Sequence, residues 1–313
     1  MKLPTVSPRT RLLVKVFIGL SIIAFLLIRF NPAEILDAIS RVRIGMLILP
    51  VSLYAVTLLV LSLRWRFILS RMGHRIPVSV AYQGFVAGIL ISDLTPARVG
   101  EVSRPLTIRD RVPVPVGLGS VFLDRYCDFI AIFLLGCGGV LLISATFSPE
   151  LVAGMLIILS VPILILSGFW FRRRLVLSLL HRIPVPALAQ FADHLGRALD
   201  SLDRPGITMG GAILTTLGVW VLQSLRVVLI AAAAGYSLPL QELILVQPLI
   251  SALALIPISL SGLGFVEGGY VTLFSRYGIP VAAGLAIALL DRLLTVGFHL
   301  LVGIRYALRV VGR

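Results

Sequence analysis

Residues 258–270 read ISLSGLGFVEGGY, and this stretch decides how the rest of the sequence is interpreted. Four glycines and one carboxylate, Glu267, lie there between two long apolar runs, residues 243–257 and 278–290. Non-helical backbone at membrane depth is tolerated only where it is buried in protein or lines a water-filled cavity. The stretch therefore predicts an interrupted membrane segment, with a functional site at the interruption.

The chain as a whole has the composition of a membrane protein. Of its 313 residues, 58% are hydrophobic and 13% are charged, whereas soluble domains carry about 25% charged residues. We predict an all-α polytopic protein in which residues 1–313 form one integral membrane domain. The net charge of +14 comes from basic residues that flank the apolar runs, which favours contact with anionic lipid and excludes a nucleic-acid partner.

Apolar runs of about 18 or more residues are long enough to cross the hydrocarbon core of a bilayer. Two further apolar segments, 78–94 and 241–257, run into Pro and Gly and return with polar residues, so we predict them as re-entrant helical hairpins. The six full spans are predicted at about 12–30, 45–63, 115–145, 151–171, 208–234 and 281–308.

The arginine-rich loops predict the orientation in the membrane. The N-terminal tail and loops 64–77 and 172–206 are rich in Arg or Lys, while loops 146–150 and 235–240 have none. With six spans, the rich loops all fall on one side, so both termini are expected in the cytoplasm and the protein in the inner membrane. Segments 31–44 and 186–203 are amphipathic and are predicted as interfacial helices.

The two halves of the chain, about 12–145 and 150–308, show the same order of elements. Each half has three full crossings, an odd number, so the halves are predicted as an inverted repeat. Glu101 precedes the pair at 124 and 125 by 23 and 24 residues, and Glu267 precedes the pair at 291 and 292 by 24 and 25.

The first hairpin, LTPARVGEVSRP at 94–105, carries three charged candidates for substrate binding. Arg98, Glu101 and Arg104 recur at three-residue spacing and share one face if the return arm is helical. Arginine binds phosphate in a bidentate manner.

In the second hairpin, Gly262 and Gly264 allow close approach of the backbone and free N–H groups, which suits an anionic head group. Glu267 adds a titratable acid. The alternative is that the glycines only permit tight packing and that Glu267 forms a static salt bridge.

Arginines inside the predicted spans complete the candidate site. Arg125 and Arg292 each follow an aspartate in an apolar run, where a charge costs about 2.5–3.5 kcal/mol on insertion scales. Asp124, with Asp128 one turn later, is expected to form a small network with Arg125. Arg226 is a further candidate. The alternatives are a static ion pair and, for an arginine near a helix end, snorkelling to the interface.

Several classes of chemistry have no support in the sequence. The histidines are scattered without ligand spacing, the two cysteines lie in one apolar run, and the only lysines are Lys2 and Lys15. P-loop, HExxH and GxSxG motifs are absent. We expect no enzymatic activity, cofactor or metal. Asp93, near the start of the first hairpin, is interpreted as a helix-end cap.

Four motifs together resemble the flippase-like membrane region of lysylphosphatidylglycerol synthases and its stand-alone relatives: PARVGEVSRP at 96–105, VFLDRYCDF at 121–129, IPISLSGLGFVEGGY at 256–270 and LLDRLLT at 289–295. The resemblance implies an integral membrane protein connected with moving a lipid or polyprenyl-linked head group between leaflets. Lysine transfer is not expected, because these 313 residues include no soluble transferase domain. The matching positions are Pro96, Arg98, Gly100, Glu101, Arg104, Arg125, Pro257, Gly262, Gly264, Glu267 and Arg292.

The sequence thus favours a flippase that moves an anionic phospholipid or an isoprenoid-linked lipid through a basic cavity between the hairpins. The expected partners are membrane lipids, with a homo-oligomer or a biosynthetic enzyme as further partners. Two alternatives remain: a non-transporting membrane partner that organises a lipid or glycan pathway, and a membrane-embedded lipid-modifying enzyme with Glu101 or Glu267 as general base.

Overall fold

A computed structural model describes residues 32–93, 95, 99–144, 149–181, 186–255, 259 and 261–311. The first predicted span, about 12–30, lies outside these residues, and so do Pro96, Arg98 and Pro257. All regular structure within the described ranges is helical. Short 3₁₀ helices cover Ile44–Leu47, Val99–Ser103 and Leu253–Leu255. The α-helices are α1 (Pro32–Ser40), α2 (Ile48–Arg71), α3 (Val78–Asp93), α4 (Arg104–Thr107), α5 (Val114–Ile143), α6 (Pro149–His181), α7 (Pro186–Asp200), α8 (Pro205–Ala233), α9 (Leu240–Ala252), α10 (Phe265–Ser275) and α11 (Val281–Val311).

Among the described residues, five helices are long and apolar enough to cross a membrane, and they correspond to five of the six predicted spans. The 24 residues of α2 extend over about 36 Å at 1.5 Å per residue, more than the thickness of a hydrocarbon core. This helix continues to Arg71, so Arg64 and Arg66 lie on the helix and not in the loop where the sequence had placed them. The five candidate spans are Ile44–Arg71, Val114–Leu142, Val152–Leu179, Pro205–Ala233 and Val281–Ile304.

Two apolar helices, α3 and α9, are too short to cross. They contain 16 and 13 residues, which correspond to about 24 Å and 20 Å. Both lie where the sequence predicted an interrupted segment. The chain then continues from α3 through a 3₁₀ helix into the four-residue α4, and from α9 through a glycine-rich turn into α10.

After each short helix a second segment follows, residues 99–107 after α3 and residues 261–275 after α9, and we call these the first and second returning segments. Glycine permits each returning segment to pack on the helix before it. A Cβ atom on Gly100 would lie 2.5 Å from the backbone nitrogen of Ser92, and one on Gly262 would lie 2.6 Å from the Cα atom of Ala254. Gly262 also has a φ of +70°, a conformation that other residues adopt at a penalty. Gly100 and Gly262 therefore lie in close contact with the backbone of the preceding helices.

Several helices of the first half have their main packing partner in the second half. Helix α2 of the first half packs along α8 of the second, α3 packs against α11, and α9 packs against α5. Close approach is again made at glycines: a Cβ on Gly139 of α5 would lie 2.9 Å from the carbonyl carbon of Leu245, and one on Gly303 of α11 would lie 3.2 Å from the carbonyl oxygen of Val86. Each short helix is thus held by the last long helix of the other half.

The two predicted amphipathic segments form α1 and α7, as expected from their patterns. Ile35 of α1 is buried against Leu285 of α11, and Leu199 of α7 is buried against Met72. Helix α6 is peripheral, since only 6% of its most apolar window is buried. Its side chains such as Leu164 are exposed, as expected for a helix that faces lipid.

Candidate functional site

A cluster of six ionisable side chains joins the first returning segment to two long helices. We call it the N-terminal ionic cluster. Helix α2 contributes one arginine, the segment 99–104 contributes a glutamate and an arginine, and α5 contributes the rest. Its members are Arg64, Glu101, Arg104, Asp124, Arg125 and Asp128.

Asp124 is the centre of this cluster. Its carboxylate accepts from Arg64 at 2.9 Å (Nε to Oδ1) and from Arg104 at 2.7 Å (Nη1 to Oδ2). Arg125 approaches the second oxygen at 3.2 Å. The side chains of Asp124, Arg64 and Arg104 are completely buried, so this carboxylate ties α2 and the returning segment to α5.

Glu101 and Asp128 hold the outer side of the cluster. Glu101 pairs with Arg104 and lies 3.1 Å from Nη1 of Arg125. The other terminal nitrogen of Arg125 forms an ion pair with Asp128, at 2.6 Å from Oδ2. Asp128 also pairs with Arg64. The side chain of Arg125 is 28% exposed, so it is the one arginine of the cluster that an external group reaches.

Aromatic rings complete the surroundings of Arg104. Its guanidinium lies over the ring of Phe85 at 4.0 Å and near that of Trp65 at 5.9 Å. Trp65 in turn donates from Nε1 to the Ser120 hydroxyl at 2.9 Å. The ring faces add cation–π attraction to the two ion pairs of Arg104. The carboxylates and rings thus hold the two terminal nitrogens of this arginine, while its buried Nε has no hydrogen-bond partner among the described residues.

A second cluster, which we call the C-terminal ionic cluster, lies between α8, α10 and α11. Arg226 donates to both oxygens of Asp291, at 2.8 Å from Nε and 3.1 Å from Nη2. Arg292 pairs through Nε with Glu267, and its Nη2 donates weakly to the carbonyl oxygen of Ser261 at 3.4 Å. The cluster consists of Arg226, Glu267, Asp291 and Arg292.

The same pairing occurs in both clusters. An arginine of α2 or α8 pairs with an aspartate on the last long helix of its own half, 60 residues later in the first half and 65 later in the second. The arginine that follows this aspartate pairs with the glutamate of the returning segment, 24 residues earlier in the first half and 25 earlier in the second (292 − 267). The two clusters thus share a pattern of contacts as well as of sequence.

The backbone at Gly262 and Gly264, predicted to offer free N–H groups to an anionic head group, is already engaged within the protein. Gly264 has a φ of +86°, and its N–H donates to Oε2 of Glu267 at 2.7 Å. This N–H group is therefore occupied by a carboxylate and not free for a head group. The close packing of Gly262 against Ala254 likewise shows a steric need for glycine there.

The prediction of a basic cavity also needs correction. The N-terminal ionic cluster has three positive and three negative formal charges, and the C-terminal one has two of each. Each described arginine of these clusters already has a carboxylate partner, because an unpaired charge at this depth would be too costly. The described side chains form closed, balanced networks. Arg98 lies outside the described residues.

Sequence reasoning missed two parts of the arrangement. Arg64 was assigned to a loop because a hydropathy run ends at its first charge. Its spacing of 60 residues to Asp124, close to the 65 residues from Arg226 to Asp291, was the signal that could have found it. Asp93 and His299, treated as a cap and as a scattered histidine, are in contact at 2.6 Å.

The comparisons with known proteins agree with a membrane protein of this kind. The chain is 27% identical over 317 residues to a UPF0104 membrane protein of Methanothermobacter thermautotrophicus, with 90% of this chain and 89% of that protein covered. A second UPF0104 membrane protein of the same organism is 26% identical over 306 residues, covering 89% and 88%.

A partial match extends to the glycosyltransferase AglD of Haloferax volcanii, at 26% identity over 150 residues, which is 44% of this chain and 23% of that protein. No solved structure matches the chain. Residues 12–303 match the family described as the lysylphosphatidylglycerol synthase TM region. This match covers nearly the whole sequence and includes both ionic clusters, so the chain is a multi-pass membrane protein that belongs to the lysylphosphatidylglycerol synthase TM region family.

Proposed function

We propose that this chain moves an anionic phospholipid or an isoprenoid-linked lipid between the leaflets of the inner membrane and leaves its chemistry unchanged. The observation that carries the proposal is the duplicated pairing of a returning-segment glutamate with a partly exposed arginine, Glu101 with Arg125 and Glu267 with Arg292. Ionisable groups at membrane depth are expensive, and they mark substrate pathways.

The proposal includes an inverted repeat with two re-entrant hairpins. The short helices α3 and α9, each followed by a close-packed turn and a returning segment, support the hairpins. The packing of α3 on α11 and of α9 on α5 supports a two-fold relation between the halves. Transporters with this plan bind substrates near the bilayer midplane, at interrupted helices between the repeats.

The exposures of the arginines suggest how a head group would bind. The side chains of Arg64, Arg104 and Arg226 are 0–6% exposed, and these residues serve as a fixed frame. Arg125 and Arg292 are 28% and 21% exposed. A phosphate would compete with Glu101 or Glu267 for these two arginines, because it offers the same bidentate geometry to guanidinium.

Exchange of partners accounts for movement between the leaflets. When phosphate takes the place of Glu101 or Glu267, the returning segment loses its link to α5 or α11 and is free to shift. The acyl or isoprenoid chains remain in the bilayer beside exposed helices such as α6. The arginine-rich loops favour a cytoplasmic location for both termini, and a homo-oligomer or a biosynthetic enzyme is a further proposed partner.

Reconstituted liposomes with fluorescent phosphatidylglycerol test this proposal. Reduction of the outer-leaflet dye by dithionite measures exchange, and we expect faster exchange with the protein than in empty liposomes. Removing a charged hydrogen bond costs about 1.5–3 kcal/mol, so Arg125→Gln and Arg292→Gln should each slow exchange about ten- to hundredfold.

The matched control is Arg71→Gln, which removes an arginine from an exposed pair with Asp203 at 2.9 Å. This variant should exchange lipid as the wild type does. Wild-type protein that exchanges no more lipid than empty liposomes would overturn the proposal, as would full exchange by the double variant of Arg125 and Arg292.

A second candidate function is a non-transporting partner in a pathway for lipid-linked glycans. The partial match to a protein named as a glycosyltransferase favours it, and so does the balanced state of both clusters. In that case double variants that remove both partners of a pair, such as Glu267→Gln with Arg292→Gln, should fold and support growth. Mass spectrometry of the lipids distinguishes transport, which leaves lipid mass unchanged, from modification by an enzyme.

A further inference from the structure

A buried histidine links the end of the first short helix to the last long helix. His299 of α11 is 3% exposed. Its Nδ1 lies 2.6 Å from Oδ2 of Asp93, the last residue of α3. Its Nε2 lies 2.5 Å from the hydroxyl oxygen of Tyr54 on α2. Both ring nitrogens are therefore engaged, and three helices meet at one imidazole.

The charged groups on the neighbouring helices are directed elsewhere, with one exception. Arg226 of α8 lies over the ring of Tyr54 at 4.8 Å while it holds Asp291. Helix α1 packs at the opposite end of α11, against the cluster that includes Leu285. The remaining groups have other partners: Arg104 of α4 binds Glu101 and Asp124, Glu267 of α10 binds Arg292, and Thr295 of α11 donates to the backbone.

The charge balance of the described interior depends on this histidine. Both ionic clusters are neutral by themselves, and Asp93 is a half-buried carboxylate outside them, with a side chain 13% exposed. If His299 is neutral, the group of Asp93, His299 and Tyr54 has a charge of −1; if it is protonated, the charge is zero. An uncompensated buried charge is strongly destabilising, whereas imidazole readily changes charge near neutral pH.

We propose that Asp93, His299 and Tyr54 form a proton-binding site that couples proton movement to the first hairpin. In the neutral state Nδ1–H donates to Asp93, and Nε2 accepts from the Tyr54 hydroxyl. A proton from hydronium adds to Nε2, so that one N–H bond forms as one O–H bond of hydronium breaks and a water molecule is released, and both ring nitrogens then donate. Tyr54 must turn its O–H to another acceptor, while Asp93 becomes part of a full ion pair.

The position of Asp93 gives this proton a mechanical effect. The residue ends α3, and the returning segment with Gly100 and Glu101 packs directly on that end of the helix. His299 belongs to α11, which also carries Asp291 and Arg292. Binding of a proton therefore tightens the hold of α11 on the first hairpin, and its release loosens that hold.

The site joins residues of both halves, and the corresponding positions in the repeat do not carry the same residues. Tyr54 lies ten residues before Arg64, and the position ten residues before Arg226 is Thr216, which donates to Asp128. His299 lies eight residues after Asp291, and the position eight residues after Asp124 is Ile132. Since the two ionic clusters are alike, a proton acting on one hairpin alone makes the two hairpins unequal.

This inference rests on the proposed function, and a pH gradient across liposomes with fluorescent phosphatidylglycerol tests both. When one proton moves with each lipid, a difference of one pH unit changes the equilibrium ratio of lipid between the two leaflets about tenfold. The wild-type exchange rate should therefore change by up to about tenfold per pH unit. In His299→Gln and Asp93→Asn the response should be lost. His194→Gln, which alters an exposed histidine bonded to its own helix, should retain it.

A measurement that does not depend on lipid exchange distinguishes failure of the proton site from failure of the proposed function. In nanodiscs with ¹⁵N-histidine, the ring signal absent from His299→Gln should report a gain of charge as the pH is lowered. Hydrogen exchange of residues 99–107 should be slower in the protonated form. A His299 ring that does not titrate, or a His299→Gln protein that keeps the wild-type pH response, would overturn the proton site. If no lipid is exchanged while His299 titrates and protects residues 99–107, the proposed function fails and the proton site stands.

Discussion

Replacement of Asp124 by Asn should be the most destabilising single change in the described interior. Asp124 is fully buried and is the only carboxylate that contacts all three arginines of the N-terminal ionic cluster, at 2.9, 2.7 and 3.2 Å. The variant leaves three arginines with two carboxylates, a net charge of +1. Removing one partner of a buried pair costs about 3–5 kcal/mol, and we expect a loss of this size in the free energy of unfolding.

The measurement is unfolding in detergent or bicelles, followed by a probe that reports separation of α2 from α5. The control is Asp200→Asn, which breaks an exposed pair with Arg173 at 2.8 Å and should cost about 0–1 kcal/mol. Adding Arg104→Met to the Asp124 variant restores neutrality and should recover part of the loss. An Asp124→Asn protein as stable as Asp200→Asn would refute the view that charge balance holds this cluster together.

Two further predictions concern glycines at close contacts. Gly139→Ala places a Cβ against the carbonyl group of Leu245 and should destabilise the protein by about 1–3 kcal/mol through overpacking. The control is Gly218→Ala, which has no atom within 4 Å of the added carbon and should be neutral or stabilising by up to about 1 kcal/mol. Thermal unfolding of the two variants compares their stabilities. Gly100→Ala meets the backbone of Ser92, so we expect a displaced returning segment, seen as faster hydrogen exchange at 99–107, and normal protection there would contradict this.

The positions of the helices could be predicted from the sequence, but the residues at which they end could not. Hydropathy and length determine whether a helix forms in a bilayer, so five spans and both short helices lie where they were predicted. The end of α2 was placed too early because Arg64 resembles a loop residue when its partners are unknown. Its burial depends on Asp124 and Asp128, which are 60 and 64 residues away.

The candidate residues could be predicted from the sequence more readily than their ion-pair partners. Glu101, Arg125, Glu267 and Arg292 could be selected because an ionisable residue in an apolar run needs a reason to be there. Which of them were paired could not be read from spacing alone, and a basic cavity was expected where balanced networks are found. His299 escaped notice because its partners come from α2 and α3, more than 200 residues earlier in the chain.

Charge balance links the two proposals. An anionic head group that displaces Glu101 from Arg125 brings a negative charge into a network that was neutral, and the displaced carboxylate is then uncompensated in a medium where such charges are costly. Either a proton or a new cation must accompany the lipid. The Asp93 site on the same hairpin changes its own charge by one unit when it binds a proton, and Glu101 follows Asp93 by eight residues. If the protein carries out the proposed transport, its buried carboxylates make net movement of an anion without a compensating charge the least favourable route.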